Sequence, residues 1–416
     1  MTSSFRAFVR DNAPFLSAGV LIAFTSSFGQ TFFISLWADD IMTAFGLSDG
    51  GWGALYALAT LVSAAAMVFV GGLTDRIRIR RLAAFVCLGL AAACLAMAGA
   101  RGWVVLGVAV FALRFFGQGM MSHLAAVAMA RWFVASRGKA LAIAATGFMI
   151  GQAVLPVAFV SAEIIISWQG LWVVSAVLVL IAIPIILRLL RAERTPQNLA
   201  EETAAAGMDG RHWTRGDLLQ LPLFWAMIPL LLGPPAFGTA LFFHQVHLVE
   251  VKGWQLVEYV ALMPVLTSAS VAMLFLSGFG IDKFGSARLM QVYLLPFALA
   301  FFVMGQAGTL WGAALALAVF GVAMGAQGTL PTACWAELFG TRHLGSIKAM
   351  AAAIMVLGTA LGPGLTGAVI DLGVSFPAQM TAIGLYFLAA GALAAFALQR
   401  AIPRLSSPAE IDVVSP

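Results

Sequence analysis

Long apolar stretches separated by short polar turns set the rhythm of this chain. Mainly apolar segments run over roughly 14–38, 51–73, 82–100, 103–131, 139–164, 168–190, 221–248, 255–281, 287–307, 309–335, 345–370 and 375–399. Each approaches or exceeds the length of about 20 residues that a helix needs to cross a hydrocarbon layer. The pattern predicts twelve membrane-spanning helices and no strands. One long hydrophilic stretch, "RAERTPQNLAEETAAAGMDGRHWTRGD", interrupts the rhythm within 191–220 and leaves six segments on each side. The expected organisation is therefore 1–190, a linker 191–220, 221–400 and a polar tail 401–416.

Composition narrows the class. The 416 residues are 62% hydrophobic and 10% charged, against about 25% charged in soluble domains. Too few polar residues remain to cover a soluble core of this size, so the chain reads as an all-α integral membrane protein in contact with the lipid bilayer. Cys87, Cys94 and Cys334 lie in apolar segments and read as small buried hydrophobes, neither a disulfide set nor a metal site. No basic run interleaved with aromatics suggests nucleic acid as a partner. Arg6 and Arg10 precede the first apolar segment, which lacks a small-x-small cleavage site and reads as a retained span.

Charge placement orients the spans. With the N-terminus on the cytoplasmic side, 20 of the 23 Lys and Arg fall in cytoplasmic segments. Arg101 and Lys252 fall outside, and Arg114 falls within a span. Both termini are then cytoplasmic, and the short loops without Asn-x-Ser/Thr acceptors fit a bacterial inner membrane.

The two halves echo each other. "GGLTDRIR" at 71–78 and "GFGIDKFG" at 278–285 share a Gly-x-x-x-Asp frame, with Asp75 and Asp282 separated by 207. The pairs Gly138/Gly345, Gly151/Gly358 and Pro156/Pro363 show the same offset of 207. Several independent pairs at one offset indicate a duplicated six-span unit. Gly71, Leu73, Asp75, Arg76 and Arg80 follow a charged Gly-x-Leu-x-Asp-Arg turn between spans 2 and 3. Arg114, Gly117 and Gly119 follow an Arg-x-x-Gly-x-Gly pattern in span 4.

With these features the chain resembles the major facilitator superfamily over its whole length. The resemblance implies two pseudo-symmetric six-helix bundles that alternate access to a central cavity lined by spans 1, 4, 7 and 10. Arg78 stands where that family's turn usually has glycine, and Ile79 where it usually has arginine. Within the superfamily the chain is most similar to bacterial monocarboxylate and oxalate/formate-type carriers. The Gly-Pro-x-x-Gly block of drug/proton exporters is missing from span 5, and span 8 lacks the Asp/Arg common in monocarboxylate carriers. By resemblance, Gly71, Asp75, Arg76, Arg80 and Arg131, with Asp282 in the second copy, form a conformational latch. Asp75 would accept bonds from the start of span 11 near Gly345, with Arg131 as its partner.

Arg114 is the residue most suggestive of chemistry. Eleven residues beyond Trp103 place it about 16 Å deep, near the bilayer midplane. A guanidinium cannot shed its charge there, so it must be wetted or paired. It is a fixed cation for a carboxylate, or an arginine that bonds helix carbonyls to hold two spans. Gln118 is one turn on, on the same face, whereas His123, nine residues from Arg114, falls about 180° around an α-helix and faces a neighbouring span. Gln30 and Thr31 in span 1, Thr239, His244 and Gln245 in span 7 and Gln327 in span 10 complete the candidate substrate contacts. The paired prolines of "GPPAFG" at 233–238 predict a break in span 7. His244 and His247, three apart near its outer end, suggest a proton-sensing gate.

The acids outside the cytoplasmic segments, Asp39, Asp40, Asp49, Glu163, Glu250, Glu258 and Asp371, all fall near the outer surface. No mid-span carboxylate is available for proton antiport, which favours proton-linked symport or anion exchange. No Gly-x-x-x-x-Gly-Lys-Ser/Thr nucleotide loop and no metal or cofactor motif occurs. The expected function is secondary transport of a small organic anion by a monomer. Export of an amphipathic compound and a membrane sensor are the competing readings.

Overall fold

The computed structural model describes residues 5–71, 73–133, 137–191, 206–340 and 342–405. Among the described residues eleven helices are long and apolar enough to cross a membrane, and a bent pair makes a twelfth span. The spans are Ala13–Gly29 with Thr31–Phe45, Asp49–Met67, Ile79–Ala98, Trp103–Trp132, Gly138–Ala162 and Trp168–Leu189. Pro222–Phe243, Leu256–Phe284, Ser286–Gln306, Leu310–Phe339, Met350–Asp371 and Phe376–Arg404 follow. A membrane offers the backbone no water, so each span closes its own hydrogen bonds as a helix. Ser48, Ser167 and Thr309 cap the starts of spans 2, 6 and 10 with their hydroxyls.

The packing repeats between the halves. Span 1 packs on span 5 as 7 does on 11; 3 on 6 as 9 on 12; 2 on 4 as 8 on 10. Spans 2 with 11, 5 with 8 and 1 with 7 join the halves. One face of the molecule carries the first and last described helices' outer ends, near Phe5 and Arg404, and the arginine-rich turns; the other carries Asp39, Asp40, Asp49, Glu163, Glu250, Glu258 and Asp371. They are called the basic and the acidic face below. All three cysteines are buried and unbridged.

Two breaks differ from expectation. Span 7 is continuous through 233–238 and ends only at His244. Proline's fixed φ suits a helix, Tyr386 donates to the Pro229 carbonyl at 2.8 Å, and span 11 packs along its length. The break lies instead in span 1, where Gln30 is extended (φ −87°, ψ 153°) and the two pieces meet at 49°. Its carbonyl is satisfied locally by the amides of Phe33 and Ile34 at 3.1 and 3.0 Å.

The second half of the linker is folded onto the second bundle. Met208 and Trp213 are buried, the Trp213 amide donates to Phe339 O at 3.0 Å, and Arg404 Nε donates to Asp209 at 3.1 Å.

Past span 5 on the acidic face, Glu163 lies beside Asp40 of span 1. Burial, with the Asp40 carboxylate beside it, pushes Glu163 up from 4.5 to about 7. The folded chain thus holds this proton more tightly than the unfolded chain does. The contribution is complete below the ordinary value of 4.5 and is lost as pH rises through about 7. Glu163→Gln, which keeps the neutral shape, is expected to flatten the decline in melting temperature over that window. Thermal scans across the window check it, and an undiminished decline contradicts it.

Candidate functional site

The break in span 1 prepares the site. Before Gln30, residues Ser26–Gly29 wind as a tight 3₁₀ turn, and the Gly29 carbonyl points out of the helix ladder. Arg114 Nη1 donates to it at 3.2 Å and to Thr31 Oγ1 at 3.3 Å. Spans 1 and 4 approach backbone to backbone here. A Cβ on Gly29 would lie 2.1 Å from Leu113 O, and one on Gly117 would lie 2.5 Å from Gly29 Cα. Only glycine permits that crossing.

Arg114 is buried, with 1% of its surface exposed. The Tyr56 ring lies 5.2 Å from its guanidinium carbon, and Tyr56 Oη shares a 2.6 Å hydrogen bond with Thr31 Oγ1. Its Nε and Nη2 have no hydrogen-bond partner. Among the described residues no carboxylate pairs with it. The Nε and Nη2 donors form the side-on edge of the guanidinium fork, which matches the two oxygens of one carboxylate.

A cavity of about 810 Å³ lies beside Arg114 on its basic-face side. Spans 2, 4 and 11 wall it, with Thr60, Ser63, Gln118, His123 and Thr359 among the polar contributors. A second cavity, of about 240 Å³, lies between the halves and is lined by Gln30, Thr31, Gln118, Gln152, Thr239, Gln327 and Thr359. Phe32, Phe148, Phe242 and Phe320 close around it. Gln118 and Thr359 face both cavities. Five candidates, Gln30, Thr31, Gln118, Thr239 and Gln327, therefore meet in one place, next to Arg114.

Three placements correct the sequence reading. First, His123 shares the larger cavity with Arg114. Residues Leu113–Met121 form a π-helix, which winds more residues per turn than 3.6. Nine residues then come round to nearly the same face instead of the opposite one. Second, His244 and Gln245 do not line either cavity. Gln245 Nε2 donates to Phe32 O and Ser35 Oγ at 3.2 and 3.1 Å, tying the end of span 7 to span 1. His244 Nε2 lies 3.0 Å from Thr366 Oγ1, and its Nδ1 lies 3.7 Å from Asp49. Third, Gln152, Thr359 and Tyr56 join the site although none was a candidate. Gln152 and Thr359 stand at the 207 offset, each next to a repeated glycine, so the repeat carried their signal.

The His244 contacts belong to a seal on the acidic face. His247 Nδ1 is 3.8 Å from the other Asp49 oxygen. Burial holds the His247 imidazole below the usual histidine range, against the pull of Asp49. Asp371, ending span 11, accepts from Ser48 Oγ at 2.7 Å and from the Gly50 amide at 3.1 Å. Spans 2 and 11 touch through backbone: a Cβ on Gly53 would fall 2.6 Å from Pro363 O, and one on Gly367 2.6 Å from Asp49 O. The acidic face is closed in this structure.

At the basic face, Arg131 Nη1 donates to Thr74 O at 2.7 Å and Arg80 Nε to Leu187 O at 3.1 Å. Both bonds stay within the first half. The side chains of Asp75 and Arg76 lie outside the described residues. The second copy is built differently. Asp282 is exposed, and Glu337 from span 10 accepts from the amides of Ser286 and Ala287 at 2.8 and 3.1 Å, and from Ser286 Oγ.

The comparisons agree with this architecture. No curated protein matches the sequence. A bacterial homolog of the human lysosomal transporter Spinster, inward-facing and unoccupied, superposes with a TM-score of 0.68 at 18% identity, covering 95% of this chain and 99% of that one. Its occupied inward-facing form gives 0.67 at 17%, covering 98% and 100%. A mutant of the nucleoside transporter NupG gives 0.67 at 13% identity, covering 93% and 99%. These likenesses are of fold. The sequence profile of the Major Facilitator Superfamily matches residues 19–363. The chain belongs to the Major Facilitator Superfamily: it is a multi-pass secondary transporter that moves a small molecule by alternating access, and not an enzyme.

Proposed function

We propose that this transporter carries a small organic anion, foremost a monocarboxylate, bound to the Nε/Nη2 edge of Arg114. The observation that carries the reading is that edge. It is buried and unpartnered, and its owner cannot neutralise itself by losing a proton. A guanidinium at that depth costs at least a few kcal/mol unless it is paired, and a bound carboxylate supplies the pairing. Gln118, Thr31, Gln30, Thr239 and Gln327 offer neutral hydrogen bonds to the rest of the substrate. The Phe side chains limit its size.

The rocking units are 1–190 and 221–400, with 191–220 as linker and 401–416 as tail. The basic face is cytoplasmic by its arginines, which places both termini in the cytoplasm and the protein, as a monomer, in an inner membrane. The seal of His244, His247, Asp49 and Asp371 is the outer gate. The turn with Gly71, Asp75, Arg76 and Arg80, together with Arg131 and the echo at Asp282, latches the basic face when the outer gate opens. No carboxylate lines either cavity among the described residues, which supports proton-linked symport or anion exchange over proton antiport through an acid.

The test is thermal shift in detergent. Monocarboxylates are expected to raise the melting temperature in proportion to the logarithm of concentration, and the matching amides are not. Equal stabilisation by acid and amide removes the anion from the account. Tyr56→Phe deletes the hydroxyl that holds Thr31 beside Arg114. With one neutral hydrogen bond lost, about 1 kcal/mol, the half-saturating carboxylate concentration is expected to rise about fivefold. An unchanged titration would separate Tyr56 and Thr31 from the binding step.

A further inference from the structure

We infer that His123 is the proton-binding group that couples anion transport to a pH gradient. The inference rests on the reading of Arg114 as the anion's ligand.

The π-helical turn brings Arg114, Gln118 and His123 to one wall of the 810 Å³ cavity. Both cavities together are lined by two chargeable side chains among the described residues, Arg114 and His123. Arg114 keeps its proton. His123 is of the one side-chain type whose unperturbed charge changes between pH 5 and 8. No other described side chain or carbonyl hydrogen-bonds its ring. A purely structural histidine inside a bilayer is expected to have such a partner. Its neighbour Ser122 accepts from Gln30 across the span 1 break, at 3.4 Å, which anchors this stretch to the substrate cavity.

Among the described residues the surroundings offer no rival. Span 2 presents Thr60, Ser63 and Gly71 to the cavity, with Tyr56 and Asp49 farther toward the acidic face. Span 11 presents Ala352, Ala353 and Val356, with Lys348 at its exposed start. Span 3 contributes the buried thiols Cys87 and Cys94, and spans 1 and 5 place no charged group on the cavity wall. Arg131, eight residues on, is bonded to Thr74 O. The side chains of Asp75 and Arg76 lie outside the described residues.

Charge accounting then produces coupling. The empty site carries one positive charge, on Arg114. A proton on His123 alone makes two like charges in one low-dielectric cavity, which is disfavoured. An anion alone cancels Arg114. Anion and proton together restore the single charge of the empty carrier, so the two species that match are empty and doubly loaded. The proton adds to an imidazole nitrogen from the side to which the cavity is open and leaves to the other side after reorientation. Nine residues set the two Cα atoms at most about 13 Å apart along the helix axis. At an effective dielectric near 20, unit charges at that spacing change each other's binding by about tenfold. By reciprocity, the anion tightens proton binding as much as the proton tightens anion binding.

The experiment uses proteoliposomes with the potential clamped and labelled acetate, pyruvate, lactate and benzoate as probes. The exchanging probe is expected to accumulate against its gradient when the acidic-face side is about two pH units lower. His123→Gln and His123→Asn are expected to remain stabilised by the carboxylate in thermal scans, to lose gradient-driven accumulation, and to flatten the pH dependence of anion affinity from about tenfold to about twofold. Melting temperatures of both variants report folding. If neither variant moves accumulation, or if both lose stabilisation by the carboxylate while remaining folded, His123 is not the coupling group. If no probe exchanges in the unaltered protein, the anion reading itself fails, a different and distinguishable outcome.

Discussion

Arg114→Gln is expected to raise the melting temperature of the unliganded protein and to weaken carboxylate binding by about two to three orders of magnitude. The two signs come from one fact. In the unliganded protein the guanidinium is buried and Nη1 alone finds acceptors, Gly29 O and Thr31 Oγ1, while Nε and Nη2 have none. Removing an unpaired buried charge relieves the fold. In the complex the same change deletes half of a buried ion pair, a loss of about 2–5 kcal/mol, or roughly 30- to several thousand-fold in affinity. Arg114→Lys keeps the charge but not the fork, and a point charge on a shorter reach is expected to fall between the two. If Arg114 instead serves only to hold span 1 through Gly29, the glutamine variant melts lower and its binding is unchanged. Thermal scans with and without carboxylate separate these outcomes.

Gly367→Leu is expected to cut turnover by more than tenfold while leaving anion affinity within about threefold. At this point span 11 lies against the backbone of span 2, and any Cβ meets Asp49 O at 2.6 Å. Backbone cannot rotate aside, so the spans must part, at a cost of about 1–3 kcal/mol or more. That clash exists only in the state with the acidic face closed, and it shifts the population toward the other state by about ten- to a hundredfold. Arg114 lies well below the seal and keeps its surroundings. Counterflow and equilibrium binding measured on the same preparation check the split. Normal counterflow would mean that spans 2 and 11 need not close at Gly367.

The fold was largely legible because a bilayer imposes a length and an apolar rule that any span must obey. The 207 offset carried the symmetry, and it also carried Gln152 and Thr359, at equivalent positions beside Gly151 and Gly358. Local departures from the α-helix were not legible. A proline pair in span 7 is a loud signal that the packed neighbours silence, whereas the break at Gln30 has no proline at all. The π-helix in span 4 has no sequence mark beyond its glycines, and an α-helical wheel therefore sent His123 to the wrong side. His244 and Gln245 are visible as polar residues near the outer end of an apolar segment. Their partners, Thr366, Asp49, Phe32 and Ser35, lie far off in sequence, so no local pattern could show that they bridge spans 1, 2, 7 and 11 at the acidic face and line neither cavity.

Counterflow reports whether Arg114 carries the anion. Proteoliposomes preloaded with an unlabelled monocarboxylate are given a trace of the labelled acid outside, and in parallel the labelled amide of the same size. Binding at the Arg114 fork predicts a transient overshoot of the acid, abolished in Arg114→Gln, and none of the amide. An amide that exchanges as well as its acid, or an acid that exchanges undiminished in Arg114→Gln, contradicts the account.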